Sequence, residues 1–120
     1  MSCRVIPVDN FRREAKRLTK KYASLKGELA QLGHELLSEP RKGFSLGSDI
    51  YKIRLAVKSK GKGKSGGVRI ITRVVEIQLK VNENPKHTDI FLLSIFDKSE
   101  YESISDKRIR EIVESLDLPK

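Results

Sequence analysis

The chain has 120 residues, and 25 Lys and Arg residues against 16 Asp and Glu residues give it a formal net charge of +9. This length is enough for one core and too short for two, so we predict a single domain over residues 1–120. A lone cysteine, Cys3, excludes an intramolecular disulfide and a cysteine-based metal cage. No apolar stretch has the length of a signal peptide or a membrane span, which predicts a cytoplasmic protein with no membrane partner.

The first predicted elements are a strand at Cys3–Pro7 and two amphipathic helices. Asp9 or Asn10 is predicted to cap the first helix, and Ser24 the second. The apolar positions, at helical spacing, are Phe11, Ala15, Leu18 and Tyr22 in the first helix and Leu25, Leu29, Leu32 and Leu36 in the second. Two such helices form a helical hairpin whose apolar stripes need a flat apolar surface to cover.

Predicted strands supply that surface. Ile50–Val57 alternates apolar residues with Lys52 and Arg54, which indicates a sheet with one face for the helices and one basic face open to water. A second strand, Val68–Val81, changes the parity of its apolar positions partway along. That change predicts a β-bulge near Val74–Val75.

The remaining elements are a turn at Asn82–Asp89, a third hydrophobic strand at Ile90–Phe96 and a last helix capped by Ser105. The predicted order is therefore β-α-α-β-β-β-α. This order indicates one α+β domain in which the helical hairpin covers one side of an antiparallel sheet.

Residues 50–75 hold eight basic residues and no acidic residue. They are Lys52, Arg54, Lys58, Lys60, Lys62, Lys64, Arg69 and Arg73. A hairpin with this much uncompensated positive charge favours a polyanion, above all a nucleic-acid phosphate chain. We assign RNA-backbone contacts to Lys58, Lys60, Lys62, Lys64 and Arg73. The alternative is a solvated hairpin loop whose lysines, Lys60 and Lys62 in particular, only keep it soluble.

Other chemistry finds less support in the sequence. Gly63-Lys64-Ser65 matches the end of a phosphate-binding Walker motif, but Lys58 occupies the position of the required earlier glycine and a strand follows instead of a helix. His34 and His87 are isolated in sequence, so structural or surface roles are favoured over catalysis or metal binding.

Four segments, in this order and spacing, resemble the RelE/ParE superfamily of bacterial toxins, and most closely its RelE/HigB branch. They are FRREAKRLTKKYASL, YKIRLA, KGKSGGVRII and LLSIFDKSEYESIS. The resemblance implies a RelE-like, microbial-RNase-like domain that enters the ribosomal A site and cleaves the bound messenger RNA. The nucleotide's own 2′-hydroxyl attacks the adjacent phosphate, and neither a metal nor another cofactor is needed.

The resemblance also implies site residues and partners. Arg69 matches the arginine assigned to the scissile phosphate, and Lys52 and Arg54 match the basic pair on the preceding strand. Lys98 matches a basic residue after the last strand, where it would stabilise the leaving group or the phosphate. Tyr101 is the candidate for stacking or proton transfer, because Phe96 stands where relatives often carry tyrosine. The expected partners are the ribosome, the messenger and a cognate antitoxin; the toxin alone is expected to be a monomer, and with its antitoxin a hetero-oligomer.

Two alternatives remain open. A ParE-like toxin would share the scaffold but inhibit DNA gyrase, and the basic residues of two strands argue against it because they suit phosphoryl transfer. A non-catalytic RNA- or DNA-binding module would use the same basic face for affinity alone. Only seven aromatic residues, none of them on the basic strand face, argue against a base-stacking platform.

Overall fold

The fold arranges helices around one sheet, as seen in a computed structural model that describes residues 2–61, 67–78, 86–100 and 104–116. In chain order the elements are β1 (Ser2–Pro7), α1 (Asp9–Lys21), α2 (Leu25–Ser38), β2 (Phe44–Gly47), β3 (Ile50–Leu55), a 3-10 turn (Lys58–Lys60), β4 (Val68–Gln78), β5 (Lys86–Asp97) and α3 (Asp106–Ser115). The predicted α+β class is confirmed. None of the helices described is long and apolar enough to cross a lipid bilayer.

The sheet is mixed, with the strand order β1-β5-β4-β3-β2. β1 runs parallel to β5, whereas the other neighbours are antiparallel. The prediction of a purely antiparallel sheet was therefore wrong. After β1, the helical hairpin carries the chain to the opposite edge of the sheet, where β2 lies. β5 then pairs with β1 and runs in the same direction.

β2 is a strand that the predicted element order lacks. It pairs with β3 through a two-residue turn at Ser48 and Asp49, whose φ values are 54° and 58°. Positive φ at both central residues is typical of a type I′ turn, which matches the twist of a hairpin. The strand has only four residues and all of them are exposed, so it lacks the apolar alternation that marks a half-buried strand.

The helical hairpin covers one face of the sheet with the apolar stripes that the sequence predicts. Leu18, Leu25 and Leu36 have no exposed surface and share one core with Ile53 of β3 and Ile70 of β4. Ile53 and Ile70 stand opposite each other in the sheet, so they point to the same side.

The opposite face of the sheet is also partly covered, contrary to the prediction of a one-sided sheet. Ile71 is directly opposite Lys52 in the register and is completely buried. α3 contributes Ile109 to the core, and this residue shares a groove with Ile50, which lies on the same side of β3 as Lys52. This face of the sheet is therefore only partly open to water.

The sheet contains a bulge, but not at Val74–Val75 as predicted. The register shifts between Ile71 and Thr72 of β4, where β5 has one additional residue, Leu93. β4 itself keeps its alternation. The parity change in the sequence has another cause: β4 is a central strand whose successive residues are apolar because both of its faces are buried.

One of the predicted helix caps is confirmed. The Ser105 Oγ accepts a hydrogen bond from the Arg108 N–H at 3.1 Å at the start of α3. Asp9 and Asn10 lie inside α1, and the Asn10 amide donates to the Leu93 carbonyl instead. Ser24 precedes α2 as predicted, but its side chain makes no capping hydrogen bond to the helix backbone.

Candidate nucleic-acid interface

β3 and β4 bring three of the predicted catalytic cations, Lys52, Arg54 and Arg69, to one face of the sheet. Arg54 stands directly opposite Arg69 in the antiparallel register, and Lys52 is two residues before Arg54 on the same strand. Because side chains alternate along a strand, all three project from the same side. Directly opposite residues have Cβ atoms about 5 Å apart, so Arg54 and Arg69 form a close pair of like charges.

The three cations differ in exposure. Arg69 is only 5% exposed, whereas Arg54 is exposed and Lys52 is half-buried. The Arg69 Nη1 donates a hydrogen bond to the Val68 carbonyl at 3.3 Å. Burial, and secondarily the charge of Arg54, lowers the pKa of Arg69, but a guanidinium remains protonated in proteins. A charge in this low-dielectric position attracts an anion more strongly than a fully hydrated one does.

Lys52 and Arg54 are available to an external anion. Neither forms an ion pair with a carboxylate of the residues that the structure describes. An exposed guanidinium and a half-buried ammonium can each donate several hydrogen bonds to phosphate oxygens. Together with Arg69 they form the feature that we call the cation cluster: Lys52, Arg54 and Arg69.

Gly67 holds the start of β4 against the neighbouring strands, and so fixes the position of Arg69 two residues later. A Cβ at this position would overlap the carbonyl oxygen of Leu55, so only glycine allows the two chains to approach this closely. The Gly67 carbonyl accepts a hydrogen bond from the Lys98 N–H at 3.1 Å. Lys98 therefore begins the segment after β5 at the same end of the sheet as Arg69.

Lys60 is not the exposed loop residue that the sequence suggests. Its Nζ lies 2.5 Å from Oδ1 of Asp97, with the two side chains 6% and 0% exposed. Tyr22, the residue directly after α1, donates its hydroxyl proton to the same carboxylate, and the Ser99 N–H and hydroxyl donate at 2.9 and 2.7 Å. The structure argues against Lys60 as an RNA contact, because its charge is already neutralised inside the protein.

These hydrogen bonds keep Asp97 ionised. Burial alone would raise the pKa of its carboxyl group, but the bonds from Lys60, Tyr22 and Ser99 lower it to well below the usual range. We call this group the Asp97 clamp: Asp97 with Lys60, Tyr22 and Ser99. It fastens the loop after β3 to the end of β5 and to the end of α1.

The remaining predicted RNA contacts are dispersed. Arg73 shares the face of the cation cluster but stands opposite Ile50, and its Nη1 donates to the Ser48 carbonyl in the β2–β3 turn. Lys58 is exposed, and its backbone N–H donates to Oε2 of Glu28 at 2.9 Å. Lys62, Lys64 and Tyr101 lie outside the described residues.

Phe44 is a candidate functional residue that the sequence interpretation missed. It is 69% exposed and stands directly opposite Lys52 in the β2–β3 register. The expectation that no aromatic residue adjoins the basic face was therefore wrong. In the sequence, Phe44 is an isolated aromatic residue between Gly43 and Gly47. Because β2 was not predicted, there was no reason to place this residue beside Lys52.

His87 has partners that its sequence surroundings do not reveal. Its Nδ1 is 2.6 Å from the Ser2 Oγ, and its Nε2 is 2.5 Å from Oδ1 of Asp89. Arg4 also contacts Asp89, at 3.1 Å. Burial would raise the pKa of Asp89, but Arg4 and His87 lower it. The group ties β1 to β5 at the edge of the sheet away from the cation cluster, which agrees with a structural role.

Comparisons with known proteins do not assign this site. No protein-family model matches the chain, and no curated protein matches it. Across the described residues, no group of three or more His, Cys, Asp and Glu side chains is arranged to hold a metal ion.

Proposed function

We propose that the protein is a RelE/HigB-type toxin of a type II toxin–antitoxin system that cleaves messenger RNA in the ribosomal A site. The observation that carries the proposal is the cation cluster: Lys52, Arg54 and Arg69 project from one face of two paired strands. This arrangement suits a single phosphodiester. The sequence resemblance supports the reaction and the setting on the ribosome.

In the proposed reaction the 2′-oxygen of the messenger attacks the adjacent phosphorus, and the bond to the 5′-oxygen of the next nucleotide breaks. The products are a 2′,3′-cyclic phosphate and a 5′-hydroxyl. Negative charge accumulates on the phosphoryl oxygens in the transition state. Arg69, held by β4, and Arg54, opposite it, stabilise that charge without moving.

Two proton transfers complete the reaction. Lys52 is the candidate base for the 2′-hydroxyl proton, because an amine can lose a proton whereas a guanidinium essentially never does. Lys98, directly after β5, is the candidate donor to the leaving 5′-oxygen. Tyr101 is a second candidate for this role. Weak acids and bases suffice when the ribosome orients the messenger, since orientation supplies much of the rate.

The proposal includes the toxin's partners. The ribosome and its messenger are the substrate complex, which places the protein in the cytoplasm. A cognate antitoxin holds it inactive, so the isolated toxin is a monomer and the inactive form is a hetero-oligomer with the antitoxin.

A non-catalytic RNA-binding module is the second candidate function, and one observation favours it. Phe44 provides an exposed ring beside Lys52, which removes the objection that the basic face lacks an aromatic residue. Such a module would bind free RNA in a salt-sensitive manner and leave it intact.

The test is cleavage of a defined messenger on purified, programmed ribosomes. We expect wild-type protein to cut the message within the A-site codon and to leave a 2′,3′-cyclic phosphate. A message with a single 2′-deoxynucleotide at that position should resist, because it lacks the attacking hydroxyl. Parallel reactions without ribosomes measure how far cleavage depends on them.

Three results would contradict the proposal. An intact ribo-message would favour the binding module, and intact transcripts accompanied by DNA damage in cells would favour gyrase inhibition. Cleavage of the 2′-deoxy message at the wild-type rate would exclude attack by the 2′-hydroxyl.

A further inference from the structure

Phe44 is the most exposed large hydrophobic side chain among the described residues. Its relative exposure is 69%, against 47% for Leu37 and 39% for Leu46. A phenyl ring held in water loses the favourable free energy that burial would supply. The ring lies beside a group of cations rather than in the core, so its exposure indicates a binding role.

The backbone holds Phe44 in place. Gly43 has a φ of 106°, and a Cβ there would approach the Lys52 carbonyl oxygen to 2.5 Å. The chain therefore passes very close to β3 at Gly43, and this close approach together with the positive φ requires glycine. Phe44 then pairs with Lys52 across the sheet, so its ring is anchored next to the cation cluster.

The ring borders a groove of about 580 Å³, which is within the usual size range of ligand pockets. The groove is lined by Lys42, Gly43, Phe44, Lys52, Ile53 and Arg54. None of these residues is acidic. One of the groove's cations, Lys42, is already paired with Glu35 at 3.5 Å. An aromatic ring with cations on one side suits a ligand that combines a flat apolar face with negative charge.

We propose that this groove binds an unpaired nucleobase of single-stranded RNA, stacked on Phe44, with the adjoining phosphate on Arg54. The inference rests on the proposed function, which it deepens by assigning the nucleotide beside the scissile phosphate to a specific surface. Every base has a π-face, so stacking on Phe44 strengthens binding without selecting one sequence.

A protein strand added to the β2 edge is the competing occupant. The charge of the groove argues for RNA, because Lys52 and Arg54 carry positive charge without a carboxylate partner among the described residues. A nucleotide supplies the matching phosphate together with the flat ring. The test below separates the two.

The experiment uses full-length protein and ribosomes programmed with a message that carries 5-iodouridine in the A-site codon. A 2′-deoxynucleotide at the cleavage position keeps the message intact, and irradiation then joins the iodinated base to a stacked aromatic ring. We expect the cross-linked peptide to contain Phe44. We expect Phe44→Leu to abolish the cross-link and raise KM for cleavage of the ribo-message about tenfold, since stacking on an aromatic side chain accounts for that much affinity.

Two matched variants complete the design. Phe44→Trp keeps an aromatic ring and should retain the cross-link. Leu46→Ala changes the other exposed apolar residue of β2 and should leave both readouts unaltered.

The failure of this inference is distinguishable from that of the proposed function. If the ribo-message is cleaved normally by Phe44→Leu and the cross-link lies elsewhere, the groove is not a base site and protein docking on β2 becomes the better explanation. If wild-type protein does not cleave the ribo-message on ribosomes at all, the proposed function fails and this inference fails with it.

Discussion

At the scale of single residues, the Lys60–Asp97 pair is the clearest case of charged side chains that form an ion pair inside the protein. Both side chains are nearly or wholly buried, and the carboxylate also accepts hydrogen bonds from Tyr22 and Ser99. Removing one partner of a buried ion pair leaves an uncompensated charge in a low-dielectric position. The pair should therefore matter for stability far more than exposed ion pairs do.

Lys60→Met should lower the free energy of unfolding by about 3 kcal/mol, because the Asp97 carboxylate then loses its buried cation. Lys42→Met is the matched control. Lys42 pairs with Glu35 at 3.5 Å with both side chains well exposed, so its loss should cost less than about 0.5 kcal/mol. Urea unfolding of both variants provides the measurement, and equal effects would contradict the role given to the Asp97 clamp.

Asp97 should also affect how the free energy of unfolding depends on pH under acidic conditions. Its folded-state pKa is lowered, so the stabilisation is complete above the unfolded-state value of about 3.9 and is lost as the pH falls through the folded-state value. The Asp97→Asn variant should be less stable than wild type at neutral pH, and this difference should shrink below about pH 4. Thermal melts between neutral and acid pH test this, and a constant difference would contradict it.

At the scale of elements, the approach of β4 to β3 depends on Gly67. We predict that Gly67→Ala lowers the melting temperature and slows cleavage together, because the added methyl group displaces the start of β4 and with it Arg69. Gly33→Ala is the control: Gly33 lies inside α2, and a Cβ there has nothing within 4 Å. It should stabilise the protein by about 0.5–1 kcal/mol through helix propensity.

Calorimetry and a cleavage assay on the same two variants check this prediction. A Gly67→Ala protein with wild-type melting temperature and rate would show that the close contact with the Leu55 carbonyl is not needed to position Arg69.

Elements with a strong apolar period could be predicted from the sequence, and those without one could not. The stripes of α1 and α2 and the alternation of β3 predict their buried faces. β2 was not predicted because its residues are all exposed and show no apolar alternation. In addition, its turn uses Ser48 and Asp49 at positive φ in place of the usual Asn-Gly. The direction of β1 depends on a partner more than eighty residues away, which local patterns do not contain.

The candidate site was predictable to a similar extent. Strand alternation placed Lys52 and Arg54 on one face, and an antiparallel hairpin brought Arg69 to them. The burial of Lys60 depends on a carboxylate 37 positions away and on Tyr22, so its sequence neighbours give no sign of it. Phe44 was missed because it lies on β2, which the sequence pattern did not predict.

At the scale of the whole molecule, positive charge is concentrated in one stretch of the sequence. Residues 50–75 contain eight basic and no acidic residues, whereas residues 76–120 contain seven basic and ten acidic ones. An asymmetric charge of this kind steers a protein toward a polyanion and makes association sensitive to salt. The ribosome, which is the proposed partner, has a surface that is largely RNA phosphate and so carries the opposite charge.

The convergence of the cation cluster on one phosphodiester is tested most directly by single-turnover cleavage on programmed ribosomes. Arg54→Ala removes an exposed guanidinium, and Arg69→Lys keeps the charge of Arg69 but changes its geometry. Lys26→Ala, an exposed lysine on α2, is the control.

We predict that both arginine variants keep a cooperative thermal melt and cleave about 100-fold or more slowly than wild type, as expected for the loss of a group that stabilises transition-state charge. Lys26→Ala should cleave at the wild-type rate. Wild-type cleavage by folded Arg54→Ala and Arg69→Lys proteins would contradict the assignment of these residues to the scissile phosphate.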